Sequence, residues 1–281
     1  MPELPEIETI CKSLQSTITN QQIKQVIIRK STLRWPINPK LNQILQNKII
    51  KNITRRAKYL LINCYDQKNI SCGYLIIHLG MSGKLSIIPK GTKNYNIINK
   101  HDHVDLVLHN NTILRYNDPR RFGAILWTTD NPLKHKLLIH LGPEPFDPIF
   151  TAKYLFKKAT KITIPIKQFI MNNKIVVGVG NIYANEALFA AKIHPFTPTN
   201  KLSLTKIQNL TIAIKRILTA AILEGGTTLK DFFNTDGKPG YFAQTLKVYG
   251  RSNKPCVNCS TIISQIRLGQ RSTFFCGTCQ L

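Results

Sequence analysis

The C-terminal end of the chain carries the pattern that most restricts its fold, two C-x2-C pairs separated by sixteen residues. Each pair bends the chain so that two sulfurs aim at one ion, and two such pairs complete a tetrahedral structural zinc site. The predicted ligands of one structural Zn²⁺ are Cys256, Cys259, Cys276 and Cys279. Two local disulfides or a redox pair would explain one C-x2-C pair, but the second matching pair disfavours both.

Between the cysteine pairs, the sequence predicts a zinc β-hairpin finger. Its strands are expected within Thr261–Arg267 and Ser272–Phe275, with a turn at residues 268–270. The module is basic and contains no acid, and a hairpin held rigid by metal can enter a nucleic-acid groove. Arg271, next to the turn, is best placed to do so. A solvated basic ribbon without a ligand would show the same composition.

The charge of the whole chain also indicates a polyanionic partner. Thirty-nine basic and fourteen acidic residues give a formal net charge of +25, which favours nucleic acid. An AT-biased genome, rich in Lys, Asn and Ile codons, is the alternative source of this charge. The positive residues are spread along the chain, which disfavours a basic membrane-surface helix.

Composition excludes several other classes of protein. Hydrophobic residues make up 43% of the chain, enough for packed cores and too many for wholesale disorder. No apolar run is long enough to span a membrane, and the acidic, proline-rich start is unlike a signal peptide. An odd total of seven cysteines disfavours a complete disulfide framework. We therefore expect a soluble protein of the cytoplasm without a membrane partner.

The hydrophobic pattern divides the chain into three parts and predicts an α+β fold. Residues 4–18 have helical periodicity, and short β-rich runs follow between residues 25 and 127. A proline- and glycine-rich stretch then leads into helical segments, the longest of them Ser203–Glu224. The predicted domains are a β-sandwich with a leading helix, a helical domain and the finger. Their predicted boundaries are 1–130, 131–250 and 251–281.

The acidic start of this basic chain is the first candidate for chemistry. Glu3, Glu6 and Glu8 would complement the macrodipole of the first helix, which is a purely structural explanation. However, initiator methionine is normally removed before proline, and removal of Met1 would expose the secondary amine of Pro2. An amine nucleophile beside a carboxylic acid suits imine chemistry at a carbonyl or acetal carbon.

Three further clusters could contact nucleic acid. The stretches 78–83 and 117–123 each present an apolar side chain on a tight turn, and such tips can fill a gap in a base stack. The stretch 177–183 leads into a helix whose N–H groups could bind phosphate. It lacks the spacing of a dinucleotide fingerprint, so a nucleotide cofactor is not expected. Each cluster taken alone is more often an ordinary turn.

Taken together and in this order, these motifs resemble those of bacterial formamidopyrimidine-DNA glycosylases. The resemblance runs from Pro2-Glu3-Leu4-Pro5-Glu6 through Arg56-Ala57-Lys58-Tyr59-Leu60 to the four-cysteine finger. It implies an N-terminal β-sandwich with a leading helix, a helix–two-turn–helix domain and a zinc β-hairpin. It also implies a bifunctional enzyme that excises oxidised purines from double-stranded DNA and cleaves the abasic site by β,δ-elimination.

The resemblance assigns catalytic roles to residues at matching positions. Pro2 is implied as the nucleophile that forms a Schiff base with C1′, and Glu3 as the acid that assists opening of the sugar ring. Glu6 is implied as a supporting carboxylate. Lys58 is implied in β-elimination and phosphate binding, and Arg271 in δ-elimination and phosphate contact.

It also implies a DNA-binding surface. Met81, Arg120 and Phe122 would fill the void that the flipped base leaves. The implied phosphate contacts are His101, Arg120, Lys167 and Asn181, and Lys161 is a further candidate contact of this chain's own. Relatives often carry a lysine where this chain has Thr163, and we expect Lys161 to substitute for it. Residues 227–232 resemble a loop that closes over the flipped base.

Two other functions fit part of the sequence. Endonuclease VIII-like glycosylases, which act on oxidised pyrimidines, share Pro2 and Glu3, but Leu4 and the Met81, Arg120 and Phe122 set favour the purine-specific branch. A non-catalytic zinc-ribbon nucleic-acid binder would explain the charge and the cysteines but not the acidic, proline-led start. We expect a monomeric bacterial DNA-repair enzyme associated with the nucleoid.

Overall fold

The computed structural model describes residues 2–227 and 241–281. By internal contacts the chain divides into two compact units. The described part of the first unit comprises residue 2 and the ranges 6–139 and 225–227. The described part of the second comprises the ranges 3–5, 140–224 and 241–281. The three-part division predicted from sequence, with boundaries after residues 130 and 250, stays a prediction.

In its described residues, the first unit contains two four-stranded antiparallel sheets. The strand orders are β1-β6-β7-β5 and β2-β3-β4-β8. The strands are β1 (Ile23–Ile28), β2 (Ile49–Arg56), β3 (Tyr59–Tyr65), β4 (Ser71–His78), β5 (Lys84–Ile88), β6 (Asp102–Leu108), β7 (Ile113–Asn117) and β8 (Ala124–Thr128).

The core of this unit contains the inward faces of both sheets and one side of helix α1 (Leu4–Ile18). Ile7, Ile10, Leu14 and Ile18 follow the helical repeat and are each at most 1% exposed. Removing such side chains from water is the main force that stabilises a sandwich of this kind.

The second unit is built around four helices in its described residues. They are α3 (Ala152–Ala159), α4 (Ile166–Ile170), α5 (Asn181–Ala190) and α6 (Leu204–Leu223). Helix α5 is buried on almost every side, as expected of a helix without a polar face. Ser203 caps α6 by accepting the backbone N–H of Lys206, and the helix coincides with the predicted helical segment Ser203–Glu224.

A β-hairpin ends the chain, with strands β9 (Ser264–Leu268) and β10 (Arg271–Phe275). Its two-residue turn has φ angles of 53° at Gly269 and 61° at Gln270, which suits the twist of a hairpin. A small cluster of buried residues supports it, comprising Phe189, Val248, Cys256, Ile263, Phe274 and Cys276.

The α+β fold predicted from sequence is confirmed, as are α1 and the finger hairpin. Strand β2 lies inside the predicted β-rich stretch between residues 25 and 127, and the short helix α2 (Leu41–Leu45) interrupts that stretch without a predicted counterpart. Strand β2 lies at a sheet edge and carries Lys51, Asn52, Arg55 and Arg56, so its sequence lacks a clean apolar alternation. Among the described residues, no helix has the length and apolarity needed to cross a bilayer.

Candidate active site and nucleic-acid interface

Glu3 is held at the N-terminus of α5. Its side chain is buried at 3% exposure, and Oε1 accepts the backbone N–H of Ile182 at 3.1 Å. The positive end of the helix therefore faces this carboxylate. The residue before the helix has to be glycine, because a Cβ on Gly180 would lie 2.1 Å from the carboxyl carbon of Glu3.

Within the second unit, one lysine interacts electrostatically with both Glu3 and Arg271. Lys167 on α4 is only 1% exposed, and burial together with the charge of Arg271 lowers its pKa to about 7, while Glu3 opposes that shift. Arg271 is the first residue of β10 and is exposed. The cluster thus contains a carboxylate, a lysine that can exist partly as the free amine near neutral pH, and a guanidinium.

The ammonium of Lys167 contacts the finger strand. Nζ donates to the carbonyl oxygen of Ser272 at 3.0 Å and to Oγ1 of Thr273 at 2.8 Å. The sequence predicts a phosphate contact for Lys167, and the structure places it beneath the residues that follow Arg271. The phosphate contact of Lys167 stays a prediction. The two hydrogen bonds that its Nζ makes in the structure are to finger residues.

Helix α5 contacts the same strand through two asparagines. Asn181 Nδ2 donates to the carbonyl oxygen of Ser272 at 3.0 Å, and Asn185 Oδ1 accepts the N–H of Phe274 at 2.8 Å. Because these bonds are made by β10 itself, they limit where Arg271 can lie. The role of Asn181 in phosphate binding stays a prediction.

Two residues of this region were not found by sequence reasoning. Glu186 on α5 is 4% exposed, and its carboxylate accepts three backbone N–H groups, at Lys247, Val248 and Tyr249. Tyr249 packs edge-to-face against Phe274 with ring centroids 5.0 Å apart. The sequence could have indicated Glu186, because it is the one acid in an otherwise apolar helix. A buried acid of this kind needs hydrogen-bond partners.

The four cysteines of the finger meet in one cluster. Their sulfur atoms all lie within 4.8 Å of one another, with Cys259 and Cys276 at 3.4 Å and Cys256 and Cys279 at 3.9 Å. Zn–S bonds of about 2.3 Å in a tetrahedron separate the sulfurs by about 3.8 Å, so the cluster fits this ion. Four thiolates fill the coordination shell and leave no position for a catalytic water, which makes the zinc structural.

Within the first unit, three predicted site residues are buried. Pro2 is buried. Glu6 is 2% exposed, and its Oε1 accepts the N–H of Thr227 at 2.8 Å. Lys58 lies in the turn between β2 and β3 and is 9% exposed. Burial, followed by the charges of Lys58 and Arg34, lowers the pKa of His78 to about 4.

Two turns of the first unit present apolar side chains to solvent, as the sequence predicts. Met81 is 40% exposed in the turn between β4 and β5, and Phe122 is 45% exposed in the turn between β7 and β8. The guanidinium of Arg120 lies 4.8 Å above the Phe122 ring. This cation–π contact covers one face of the exposed ring.

A basic cleft of about 420 Å³ lies in the same unit as these turns. His101 and His103 lie in its lining, which also contains the basic side chains of Arg29, Lys30, Lys100 and Arg121 and the acidic side chain of Asp102. Cations in such a cleft could neutralise a DNA backbone phosphate.

Two further predictions from the sequence concern Lys161, proposed to replace a lysine at Thr163, and the loop expected to close over the flipped base. Lys161 is exposed just beyond α3, and Thr163 accepts a hydrogen bond from Asn200 at 3.1 Å. The predicted closing loop lies outside the described residues except for Thr227, because the description ends at residue 227 and resumes at residue 241.

Family models match almost the whole chain. Residues 1–125 match the formamidopyrimidine-DNA glycosylase N-terminal domain, and residues 141–233 match the formamidopyrimidine-DNA glycosylase H2TH domain. Residues 253–281 match a zinc finger found in FPG and IleRS.

Similar proteins carry the same family name over their full length. The chain is 52% identical to a formamidopyrimidine-DNA glycosylase of Hydrogenovibrio crunogenus, covering 100% of this chain and 96% of the relative. It is 51% identical to one of Photobacterium profundum, covering 100% of both chains.

Solved structures of a relative have the same fold. A Lactococcus lactis FPG variant bound to Fapy-dG-containing DNA matches with a TM-score of 0.90 at 32% identity, covering 99% of each chain. The wild-type Lactococcus lactis protein bound to DNA with an oxidised pyrimidine matches with a TM-score of 0.89 at 33% identity, again covering 99% of each chain.

The sandwich, the helical domain and the four-cysteine finger define a zinc-finger DNA glycosylase. The chain belongs to the formamidopyrimidine-DNA glycosylase family.

Proposed function

We propose that this DNA glycosylase excises 8-oxoguanine and formamidopyrimidines from double-stranded DNA and then cleaves the abasic site by β,δ-elimination. The observation that carries the proposal is the buried Glu3 carboxylate at the N-terminus of α5. Pro2 is joined to Glu3 by one peptide bond, so removal of Met1 would expose an amine next to this acid. The Fapy-dG complex of the Lactococcus lactis relative supports the choice of lesion.

The proposed reaction begins with the secondary amine of Pro2. Its nitrogen attacks C1′, the glycosidic bond breaks, and the damaged base leaves with the bonding electron pair and takes up the proton that the amine nitrogen loses. A proton from Glu3 to the ring oxygen opens the sugar, and the amine lone pair then forms the Schiff base. Glu6, held by the N–H of Thr227, is the proposed supporting carboxylate.

The Schiff base prepares the sugar for elimination. It acidifies C2′, and loss of a C2′ proton expels the 3′ phosphate. A second elimination then expels the 5′ phosphate. We assign Lys58 to the first elimination and Arg271 to the second, each also as a phosphate contact. The burial of Lys58 and the exposure of Arg271 in the finger support these assignments.

Chemistry at C1′ requires the damaged nucleotide to leave the base stack, which costs a few kcal/mol. We assign Met81, Arg120 and Phe122 to filling the void, a role supported by their exposure on two tight turns. The proposed phosphate contacts are His101, Arg120, Lys161, Lys167 and Asn181, supported by the net charge of +25.

An oxidised pyrimidine is the second candidate lesion. It is favoured by the complex of the Lactococcus lactis relative with DNA that contains such a base. Duplexes with one 8-oxoguanine opposite cytosine, or one oxidised pyrimidine opposite its normal partner, separate the two. We further propose that the enzyme acts as a monomer at the bacterial nucleoid, where its substrate is.

The proposal is tested by whether catalysis needs a free proline. Borohydride reduction during turnover should link the protein to lesion DNA, with the new bond at Pro2. A variant that keeps Met1 should bind DNA but neither form the adduct nor cleave, because the Pro2 nitrogen is then a tertiary amide. Proteolytic removal of the extra residue from the same sample should restore both. Normal cleavage by the Met1-containing chain, or an adduct on Lys58, would overturn the mechanism.

A further inference from the structure

The two turns that carry Met81 and Phe122 come from different strands, yet they contact each other directly. We call residues 79–83 and 118–123 the two wedge turns. Gly80 has a φ of +63°, and a Cβ placed there would lie 2.5 Å from the carbonyl carbon of Phe122. The backbones are therefore as close as glycine permits.

One hydroxyl joins the wedge turns. Oγ of Ser82 accepts the backbone N–H of Arg120 at 3.3 Å and donates to Oδ1 of Asp118 at 2.9 Å. The residue after Met81 is thus hydrogen-bonded to two residues of the other turn. A hydroxyl can serve in this way because it both donates and accepts.

Asp118 extends this link through its second carboxylate oxygen. It is fully buried, and Oδ2 accepts the N–H of Gly123 at 2.9 Å and the hydroxyl of Tyr116 at 3.3 Å. Its carbonyl oxygen accepts the N–H of Arg121 at 3.2 Å. A buried carboxylate with several donors resists displacement, because leaving those donors unpaired is costly.

The backbone of the second wedge turn, residues 118–123, adopts a conformation that is unfavourable for a residue with a side chain. Arg121, between the two void-filling residues of that turn, has a φ of +56°, which is uncommon for a residue with a side chain. The hydrogen bond from its N–H to Asp118 helps to hold this conformation. That bond is made to the backbone carbonyl, whereas the Asp118 carboxylate holds the turn through Ser82 and Gly123, so without the carboxylate the turn would have more conformations available to it.

We propose that Ser82 and Asp118 are positioning residues that hold Met81, Arg120 and Phe122 as one preformed wedge. The inference rests on the proposed function and adds to it two residues that touch neither the lesion nor the reacting atoms. A side chain that enters a base stack must keep its place against restacking of the displaced base. A wedge that is already ordered loses less entropy on insertion than one that must be ordered there.

The test compares Ser82→Ala with Ser71→Ala, in which another serine of the same sandwich loses a side-chain hydrogen bond, to Asn63 at 2.9 Å. Single-turnover excision is measured on a duplex with 8-oxoguanine opposite cytosine, with 2-aminopurine beside the lesion to report unstacking. Cleavage of a preformed abasic site in single-stranded DNA is measured in parallel, since that substrate has no stack to fill.

We expect Ser82→Ala to lower two rates by about tenfold, the rate of duplex excision and the rate at which 2-aminopurine reports unstacking. Single-strand cleavage should change by less than about twofold, since its chemistry needs no wedge. Ser82→Thr, which keeps the hydroxyl, should restore duplex excision, and Ser71→Ala should match the wild type.

Asp118→Asn provides a second variant of the same shape. Its amide NH₂ is a donor where one carboxylate oxygen of Asp118 accepts hydrogen bonds. We expect duplex excision by this variant to be about thirtyfold slower. Either wild-type duplex excision in Ser82→Ala, or equal slowing on duplex and single strand, would overturn the inference. Failure of the wild type and Ser71→Ala to excise 8-oxoguanine would instead overturn the proposed function.

Discussion

The carboxylate of Glu3 accepts the N–H of Ile182 at 3.1 Å, so an acid from the third position of the chain closes the first turn of a helix 179 residues later. This bond fixes one carboxylate oxygen at the positive end of α5. Glu3 is thus held within the second unit by a hydrogen bond to α5.

Glu3→Gln should separate the structural role of this residue from its chemical role. Glutamine keeps an oxygen that can accept the Ile182 N–H but cannot transfer a proton to the sugar. We expect excision to slow by about a hundredfold or more while DNA binding is retained. Single-turnover excision and a filter-binding assay measure the two quantities. Glu8→Gln on the same helix, which loses only the partner of Arg55 at 2.6 Å, is the control. Wild-type excision by Glu3→Gln would remove Glu3 from the mechanism.

Phe122→Ala should slow excision from duplex DNA more than it weakens nonspecific binding. Nonspecific affinity comes mostly from phosphate contacts, whereas the ring is proposed to fill the gap in the stack. Phe146→Ala is the matched control, because Phe146 is 43% exposed and Phe122 is 45% exposed. Excision rates and undamaged-duplex affinity are compared for both variants. Parallel losses of rate and nonspecific affinity in Phe122→Ala would argue against the wedge.

Cys256→Ser should reduce bound zinc and weaken duplex binding while leaving most of the helix and strand signal intact. The finger buries only a small cluster of side chains, so the metal is expected to supply much of its stability. Metal content, circular dichroism and duplex affinity measure these effects. Cys72→Ser, which changes a cysteine outside the metal cluster, should retain zinc and affinity. Full affinity in a zinc-free sample would contradict this prediction.

The titration of His78 should make stability pH-dependent. Burial, with Lys58 and Arg34, lowers its pKa from 6.5 to about 4, so the unfolded chain takes up this proton at a higher pH than the folded one. The free energy of unfolding should therefore fall as pH drops from about 6.5 to about 4, by up to about 3 kcal/mol from this group.

Urea unfolding across that window measures the effect of His78. His78→Asn keeps an acceptor for the N–H of Gly80, which His78 Nδ1 accepts at 3.0 Å, but has no proton to gain. We expect the free energy of unfolding of this variant to depend less on pH. His109→Asn, at an exposed position, should keep the wild-type profile. Identical slopes for the wild type and His78→Asn would show that this imidazole is not the cause.

Local pattern was sufficient to predict much of the fold and the metal site. The helical repeat of α1 and the spacing of the finger cysteines each depend on residues close together in the chain. Helix α2 was missed because its five residues are too few to show a helical repeat. Glu186 was missed because its partners lie sixty or more residues away.

The sequence by itself determined which chemical groups are present: a proline before a glutamate, four thiolates in two pairs, and arginine beside an aromatic ring on a turn. Only the tertiary structure decided their surroundings. It buried Lys167 under the finger strand, set Glu3 at the end of α5, and joined two turns through Ser82 and Asp118. The physical reason is that burial and hydrogen bonding depend on distances in space, and residues far apart in sequence meet only after the chain has folded.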